Sequence, residues 1–327
     1  MAGGKAMKIA ILDDYHHHAA EYCDWGDLRA EVTIFHAPIP AETLAETLAP
    51  FDVICAMRER TPLDAALIGA LPNLRLIVTT GLKNAAIDMA AAAARGIPVC
   101  GTPTRLEGTS QLAMMLMLNA MRGFQREADT LRGGGWQAVG AGRDLHGLTL
   151  GLIGLGRQGA GLAALARPFG MRLIAWSANL TDDRCAEVGG VERMPSLDAL
   201  LAEADVASIH LILSARSRGL LGARELGLMK RDALLVNTSR GPIVDEAALL
   251  AALRKGTGPG MAALDVYDAE PLPAASPLRD AGLIANGRLL LSPHLGYATR
   301  QGYALMYRET ASAVRAWAAG NPVMVLA

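Results

Sequence analysis

The chain has 327 residues, 51% of them hydrophobic and 19% charged, with a formal net charge of −1. Such a chain can build two domains with sizeable cores. The balanced charge argues against a nucleic-acid partner, and no apolar stretch is long enough to cross a bilayer. The four cysteines are scattered without a C-x-x-C, which reads as free thiols in a reducing compartment, the cytoplasm, and as no metal site.

In chain order, apolar patterning predicts strands over residues 7–12, 31–35, 52–56, 74–79 and 97–100, separated by helices over 41–48, 63–71 and 85–95. Strands alternating with helices make a parallel α/β unit. Gly96 stands where a helix ends in a left-handed residue. His16, His17 and His18 are adjacent, so their rings diverge, and they read as a solvated turn. Arg58 and Arg60 follow the third strand, and Gly81-Leu82 follows the fourth. Ligands of open α/β sheets gather at strand carboxyl ends. One of these arginines therefore meets an anionic substrate or both are solvated, and the glycine loop is a second candidate contact. A long apolar helix over 108–131 comes next, with Met114, Met115, Met117 and Met121 as adaptable core. Its length suits a connection between domains. Trp136, beside three glycines, either anchors a subunit contact or packs locally.

Residues 148–159 read LTLGLIGLGRQG, and an apolar helical pattern follows over 162–169. A strand breaking into Gly154-Leu155-Gly156-Arg157-Gln158-Gly159 and then a helix is the context in which G-x-G-x-x-G signals a dinucleotide. Gly154 permits the turn, Gly156 lets the backbone approach a pyrophosphate, and Gly159 lets the helix pack on the strand. The phosphates then meet the helix N-terminus, whose free N–H groups favour anions. Further strands are expected over 171–176, 191–194, 205–210, 233–237, 261–266 and 289–291, with helices over 197–204, 223–229 and 245–255. A closing helix over 299–319 can return to the first domain.

Three loops that follow strands of this second unit carry Arg240, Glu270 and His294. Carboxyl ends of a doubly wound sheet share one edge, so the three side chains can converge near a nicotinamide. The residue types suit reduction of a 2-oxo acid. Arg240 offers a planar fork of donors to the carboxylate and carbonyl. His294 can supply the proton that the new alkoxide needs. Glu270 can bond the other ring nitrogen, fixing the tautomer and favouring the imidazolium. Tyr267 and Tyr297 hint at a shaped pocket.

The stretches LGLIGLGRQG (150–159), VNTSRGPIVDEAAL (236–249), ALDVYDAEPL (263–272) and SPHLGYAT (292–299) together make the chain resemble the D-isomer-specific 2-hydroxyacid dehydrogenases over nearly its whole length. The resemblance implies an α/β fold of two doubly wound parallel-sheet domains. One is a flavodoxin-like substrate domain, residues 1–107 plus 298–327. The other is a Rossmann NAD(P)-binding domain, residues 108–297, with a connecting helix and dimer segment over 108–145. It implies Arg240, Glu270 and His294 as the catalytic trio. It places cofactor contacts on Gly154, Gly156, Arg157, Gln158, Gly159, Ser177, His210, Thr238, Asp265 and Gly296, and substrate contacts on Arg58, Gly81, Leu82 and Arg240. Asp265 is expected to meet the nicotinamide amide. A homodimer is implied, with a small 2-oxo or 2-hydroxy acid as substrate and neither nucleic acid nor membrane as partner.

Departures from the family pattern carry information. Ser177 stands where an acidic residue usually bonds the adenosine ribose and repels a 2′-phosphate; NAD(H) is the expected cofactor, and Ser177, Asn179 and Arg184 leave NADP(H) open. Asp182 and Asp183 belong to the first turn of the next helix. Tyr297 replaces a small residue and narrows the space beside His294. Two alternatives share the fold. Phosphite dehydrogenases keep the trio, whereas formate dehydrogenases pair the histidine with glutamine, against which Glu270 argues. A cofactor-sensing corepressor keeps fold and trio but acts through partners, and this chain lacks a low-complexity tail for that.

Overall fold

The computed structural model describes residues 6–105 and 107–327. Residues 1–5 and 106, assigned above to the substrate domain, lie outside the described residues. The chain forms two compact units, Met1–Arg105 with Thr299–Ala327, and Leu106–Ala298.

The first unit opens with β1 (Met7–Ile11), α1 (His18–Tyr22), β2 (Ala30–Ile34), α2 (Leu44–Leu48), β3 (Val53–Ala56), α3 (Ala65–Ala70), β4 (Leu76–Thr79), α4 (Met89–Ala94) and β5 (Val99–Gly101). Its strands pair in parallel in the order β2-β1-β3-β4-β5. Strands β3 and β4 are buried throughout, as expected of parallel strands covered on both faces. Helices α3 and α4 start later than the apolar periodicity suggests. Leu63 and Ile87 pair with each other in a short parallel bridge, which keeps both segments extended. Asp64 and Asp88 then cap the helices, accepting from the Leu67 and Ala91 N–H groups. Gly96 is left-handed (φ +65°), as its position after α4 suggests. Of the three histidines, His17 is left-handed (φ 60°) and His18 opens α1.

The second unit holds α5 (Glu107–Arg122), α6 (Phe124–Arg132), β6 (Thr149–Ile153), α7 (Arg157–Ala166), β7 (Arg172–Trp176), α8 (Asp182–Val188), β8 (Val191–Arg193), α9 (Leu197–Glu203), β9 (Val206–Ile209), α10 (Ala223–Leu228), β10 (Leu234–Asn237), α11 (Glu246–Lys255), β11 (Met261–Leu264), α12 (Ala281–Ala285) and β12 (Leu289–Leu291). All pair in parallel, in the order β12-β11-β10-β9-β6-β7-β8. Neighbouring residues of β6 feed opposite faces: Leu152 joins the cluster under α5 and α7, and Ile153 the cluster under α9 to α11. The last helix, α13 (Arg300–Ala318), belongs to the first unit and packs on α1, β4 and β5. After it, Val325 bridges Cys100 in antiparallel fashion at the edge of β5.

The single helix expected over 108–131 is two. Gly123 turns left-handed (φ +59°) between α5 and α6, and a Cβ there would lie 2.6 Å from Val139 Cγ1. Only glycine permits both the turn and the close approach. Met114, Met117 and Met121 are core, as expected, but Met115 is exposed. Helix α7 begins at Arg157, ahead of its apolar pattern, because Gly156 is its N-cap. Thr181 caps α8, so Asp182 and Asp183 do sit in its first turn.

Candidate active site

The chain leaves β6 toward β7 and β8, then crosses to β9 on the other side. This reversal opens a crevice at the carboxyl ends of β6 and β9, the place where such sheets bind ligands. The glycine turn follows β6 and His210 follows β9. Gly154 has φ +104°, and a Cβ on it would stand 2.8 Å from the His210 carbonyl; a Cβ on Gly159 would collide with the Gly154 carbonyl. At Gly156 a Cβ would meet nothing within 4 Å, so the backbone there is open to approach. Gly156 caps α7 without a side-chain bond, which leaves first-turn N–H groups for an anion. His210 Nδ1 and Thr238 Oγ1 are buried without a hydrogen-bond partner, in the loops after β9 and β10. These features fit a dinucleotide. The His210 ring lies 3.0 Å through Nε2 from Ser208 Oγ, and burial pushes its pKa down to about 4, so it is neutral at working pH.

At the end of β7, the Leu180 N–H donates to the Ser177 carbonyl. Arg184, on α8, donates through Nε to the Leu155 carbonyl of the glycine turn (2.9 Å) and through Nη1 to Glu187 (3.0 Å). A guanidinium thus stands on the glycine turn, beside the strand that ends in Ser177. Arg157 is exposed at the start of α7, and the Gln158 carbonyl accepts from Ser110 Oγ.

Arg240, Glu270 and His294 follow β10, β11 and β12, three adjacent parallel strands. Glu270 Oε2 meets His294 Nδ1 at 2.5 Å, and Oε1 accepts from the Tyr267 N–H at 2.9 Å. Burial by itself raises the Glu270 carboxyl. The His294 bond and charge, the Tyr267 N–H and the Arg240 charge outweigh it and hold the carboxyl below its usual range. Both side chains keep some exposure, 22% for His294 and 33% for Glu270, so a substrate can reach the pair. His294 itself is left-handed (φ +53°), a conformation that a non-glycine residue holds only when its surroundings impose it.

The imposing groups are visible. Asp265 is fully buried, and its carboxylate accepts from Ser292 Oγ (2.5 Å), the Leu295 N–H (2.7 Å) and the Gly296 N–H (2.9 Å). Burial is the largest influence on this carboxyl and raises it. Both of its oxygens therefore serve the His294 loop. The Gly296 carbonyl in turn accepts from Thr109 Oγ1 (3.0 Å). Tyr297 lies edge-on to His294, ring centroids 5.4 Å apart, consistent with its narrowing the space there. Tyr267 is not a pocket wall. It is buried, and its hydroxyl donates to the Ser292 carbonyl at 2.7 Å, with the Leu264 carbonyl farther off at 3.2 Å.

On the Arg240 side, Asn237 Nδ2 donates to the Arg240 carbonyl (3.0 Å), and Arg240 Nη1 donates to the Ser239 carbonyl (2.7 Å). Gly241 lets this loop lie on the next one: a Cβ there would fall on the Tyr267 carbonyl and within 2.5 Å of Asp268 N. Glu246, opening α11, accepts from the Asp268 N–H (2.8 Å). Sequence reasoning missed the supporting roles of Tyr267, Ser292, Gly241 and Glu246. Only the Gly-Pro after Arg240 signals a constrained turn.

The remaining substrate candidates lie in the first unit, at the carboxyl ends of β3 and β4. Arg58 Nη1 donates to the Thr80 carbonyl (3.1 Å) and lies across the bare α-carbon of Gly81, which has φ +101°. Leu82 is half exposed. Arg60 donates to the Asp13 carbonyl (2.7 Å) and stacks 4.3 Å over Tyr15, so it is less available to an anion than a solvated arginine. Among the described residues, no group of three or more metal-ligating side chains forms, and no helix is long and apolar enough to cross a membrane.

Residues 114–296 match the family model "D-isomer specific 2-hydroxyacid dehydrogenase, NAD binding domain". The chain belongs to the D-isomer specific 2-hydroxyacid dehydrogenases. This dehydrogenase is 36% identical over 300 residues to a glyoxylate reductase of Aeropyrum pernix, covering 89% of this chain and 87% of that one. It is 34% identical over 291 residues to a glyoxylate reductase of Korarchaeum cryptofilum, covering 87% and 85%. Its fold superposes with a TM-score of 0.88 on the crystal structure of a phosphoglycerate oxidoreductase from Vibrio cholerae, at 34% identity and with 96% and 99% covered. The dehydrogenase is an NAD(P)-dependent oxidoreductase, and its two parallel sheets are those of the family.

Proposed function

We propose that the dehydrogenase acts chiefly as a reductase of a small 2-oxo acid, of the glyoxylate or hydroxypyruvate class, giving the D-2-hydroxy acid. The observation that carries this reading is the 2.5 Å His294–Glu270 bond with Arg240 on the adjoining strand end. Arg240 binds the substrate carboxylate and polarises the C2 carbonyl. His294 donates the proton from Nε2, the ring nitrogen that Glu270 does not touch, to the oxygen on C2. Glu270, ionised because its carboxyl is held low, stabilises the charged ring before transfer. Gly154, Gly156, Arg157, Gln158 and Gly159 would hold the pyrophosphate of a nicotinamide dinucleotide, with Ser177, His210, Thr238, Asp265 and Gly296 as its further contacts, and the reduced cofactor would supply a hydride for C2. Asp265 contributes by shaping the His294 loop. We assign further substrate contacts to Arg58, Gly81 and Leu82, which makes the first unit the substrate domain.

The cofactor is NAD(H), and NADP(H) is accepted as well. Ser177 offers no carboxylate to repel a 2′-phosphate, and the Arg184 guanidinium on the glycine turn favours one. The dehydrogenase assembles as a homodimer through α6 and the segment after it, where Phe124, Leu131 and Trp136 are 66%, 61% and 77% exposed, an apolar grouping that suits a subunit contact. Its four unpaired cysteines suit the cytoplasm.

The test follows loss of dihydronicotinamide absorbance over a panel of 2-oxo acids, with NADH and NADPH in parallel, for the wild type and Arg240→Ala. Turnover of small 2-oxo acids by the wild type, lost by at least about 10³-fold in the variant, supports the reading. Tight cofactor binding without turnover on any member refutes it and points to a cofactor sensor.

A further inference from the structure

Tyr267 touches the loops of all three candidate catalytic residues. Its N–H donates to Glu270 Oε1 (2.9 Å). Its carbonyl occupies the space that only the bare Gly241, next to Arg240, leaves open. Its phenol O–H donates to the Ser292 carbonyl (2.7 Å) from a buried ring. That same carbonyl accepts the His294 N–H at 3.0 Å, closing a tight turn around Pro293 that leads directly into His294, itself at φ +53°. A buried carbonyl with two donors is fixed in direction, whereas one with only the His294 N–H can tilt and let the turn unwind. The neighbouring peptide is fixed independently, by the Asp268 N–H donating to Glu246 Oε1 (2.8 Å), so the backbone of the Tyr267 turn does not depend on the phenol.

We propose that Tyr267 is a positioning residue for proton transfer: its hydroxyl, by holding the Ser292 carbonyl, keeps the His294 turn wound so that Nδ1 meets Glu270 and Nε2 stays free to give its proton. This rests on the proton-donor role proposed for His294. The backbone bonds of Tyr267 set the Glu270 and Arg240 loops and need no side chain. The phenol is the one part that acts on His294, and replacing tyrosine by phenylalanine removes it while keeping the ring in the core.

The experiment compares the wild type with Tyr267→Phe. The variant should lose about tenfold in kcat for 2-oxo acid reduction, as expected for one buried hydrogen bond acting on the transition state. The dissociation constant for NADH, read by quenching of tryptophan fluorescence, should stay within about twofold, because the glycine turn is untouched. The solvent deuterium isotope effect on kcat should rise as proton transfer becomes slower. Independently of turnover, the downfield proton resonance of the short His294–Glu270 bond should move upfield or vanish in the variant. An unchanged kcat and isotope effect in a wild type that is active overturns the role of Tyr267 alone. Equal losses in NADH affinity and kcat with a lowered melting temperature also overturn it, as the mark of a merely structural residue. A wild type that binds NADH but reduces no 2-oxo acid overturns the underlying reading, and the proton resonance then still tests whether Tyr267 orders the pair.

Discussion

Replacing Glu270 by glutamine removes one negative charge and one of two acceptors. The amide oxygen of glutamine can still accept from His294 Nδ1, so the tautomer is retained, but the amide NH2 then faces the Tyr267 N–H and cannot accept from it. Lost with the charge is the charge-assisted part of a 2.5 Å bond. Hydrogen bonds to charged groups contribute about 1.5–3 kcal/mol. Because His294 and Glu270 keep 22% and 33% of their surface, the lower half of that range applies, about 1.5–2 kcal/mol, or a ten- to thirtyfold fall in kcat. The pH profile separates charge from shape. Glu270 is held below the usual carboxylate range, so in the wild type the pair is broken only when the pH falls below that range. Reduction should therefore persist through the ordinary carboxylate range and decline only at lower pH, whereas Glu270→Gln has no such acidic decline. Steady-state reduction rates across pH for both proteins decide the matter. A variant with wild-type kcat and a superimposable profile would refute the reasoning.

The His210 ring titrates at about 4 against an ordinary 6.5. The unfolded chain therefore takes up this proton before the folded one, and stability is lost as pH falls from about 6.5 to about 4, by up to ~3 kcal/mol and nearer ~2 because part of the ring is solvated. Denaturant titrations near neutrality and near pH 5 should show a shallower loss in His210→Gln, and an identical loss in both proteins would count against it. Ser177→Asp should lower the NADPH-to-NADH ratio of kcat/KM by about tenfold or more through repulsion of the 2′-phosphate; an unmoved ratio would mean the phosphate does not reach this strand end. In the core, a Cβ on Gly151 would stand 2.7 Å from Leu200 Cδ2 and 3.0 Å from Ala204 Cβ, so Gly151→Ala should cost about 1–3 kcal/mol, seen as a lower denaturation midpoint. A midpoint equal to the wild type's would mean that Leu200 yields freely.

What was legible in the linear chain was what short-range chemistry encodes. The glycine turn is specified within a dozen residues: an apolar run, three glycines of which Gly154 and Gly159 have no room for a Cβ and Gly156 leaves the backbone open, and a helix. Arg240, Glu270 and His294 were legible for a related reason, since each stands at a fixed offset past a buried strand, and parallel strands must all end at one edge. Helix starts were less legible. The apolar period runs through 63–71 and 85–95, yet Leu63 and Ile87 spend those positions on each other, a choice between pairing and coiling that neither segment can make alone. Likewise Gly123 could be ordinary helix until Val139, sixteen positions along, comes to lie against it.

The chain order alone thus determines the two α/β units and the dinucleotide turn, and singles out three candidate reacting groups, because periodicity, turn chemistry and residue type are local properties. Tertiary structure decides how those groups are made ready. It puts β12, β11 and β10 side by side, which no strand's own sequence states. It turns Asp265 onto the His294 loop and Tyr267 from an expected pocket wall into the tie beneath all three loops. Hydrogen bonds between residues 25 to 31 positions apart hold a histidine in a backbone conformation it would otherwise leave, and such bonds exist only once the strands have assembled.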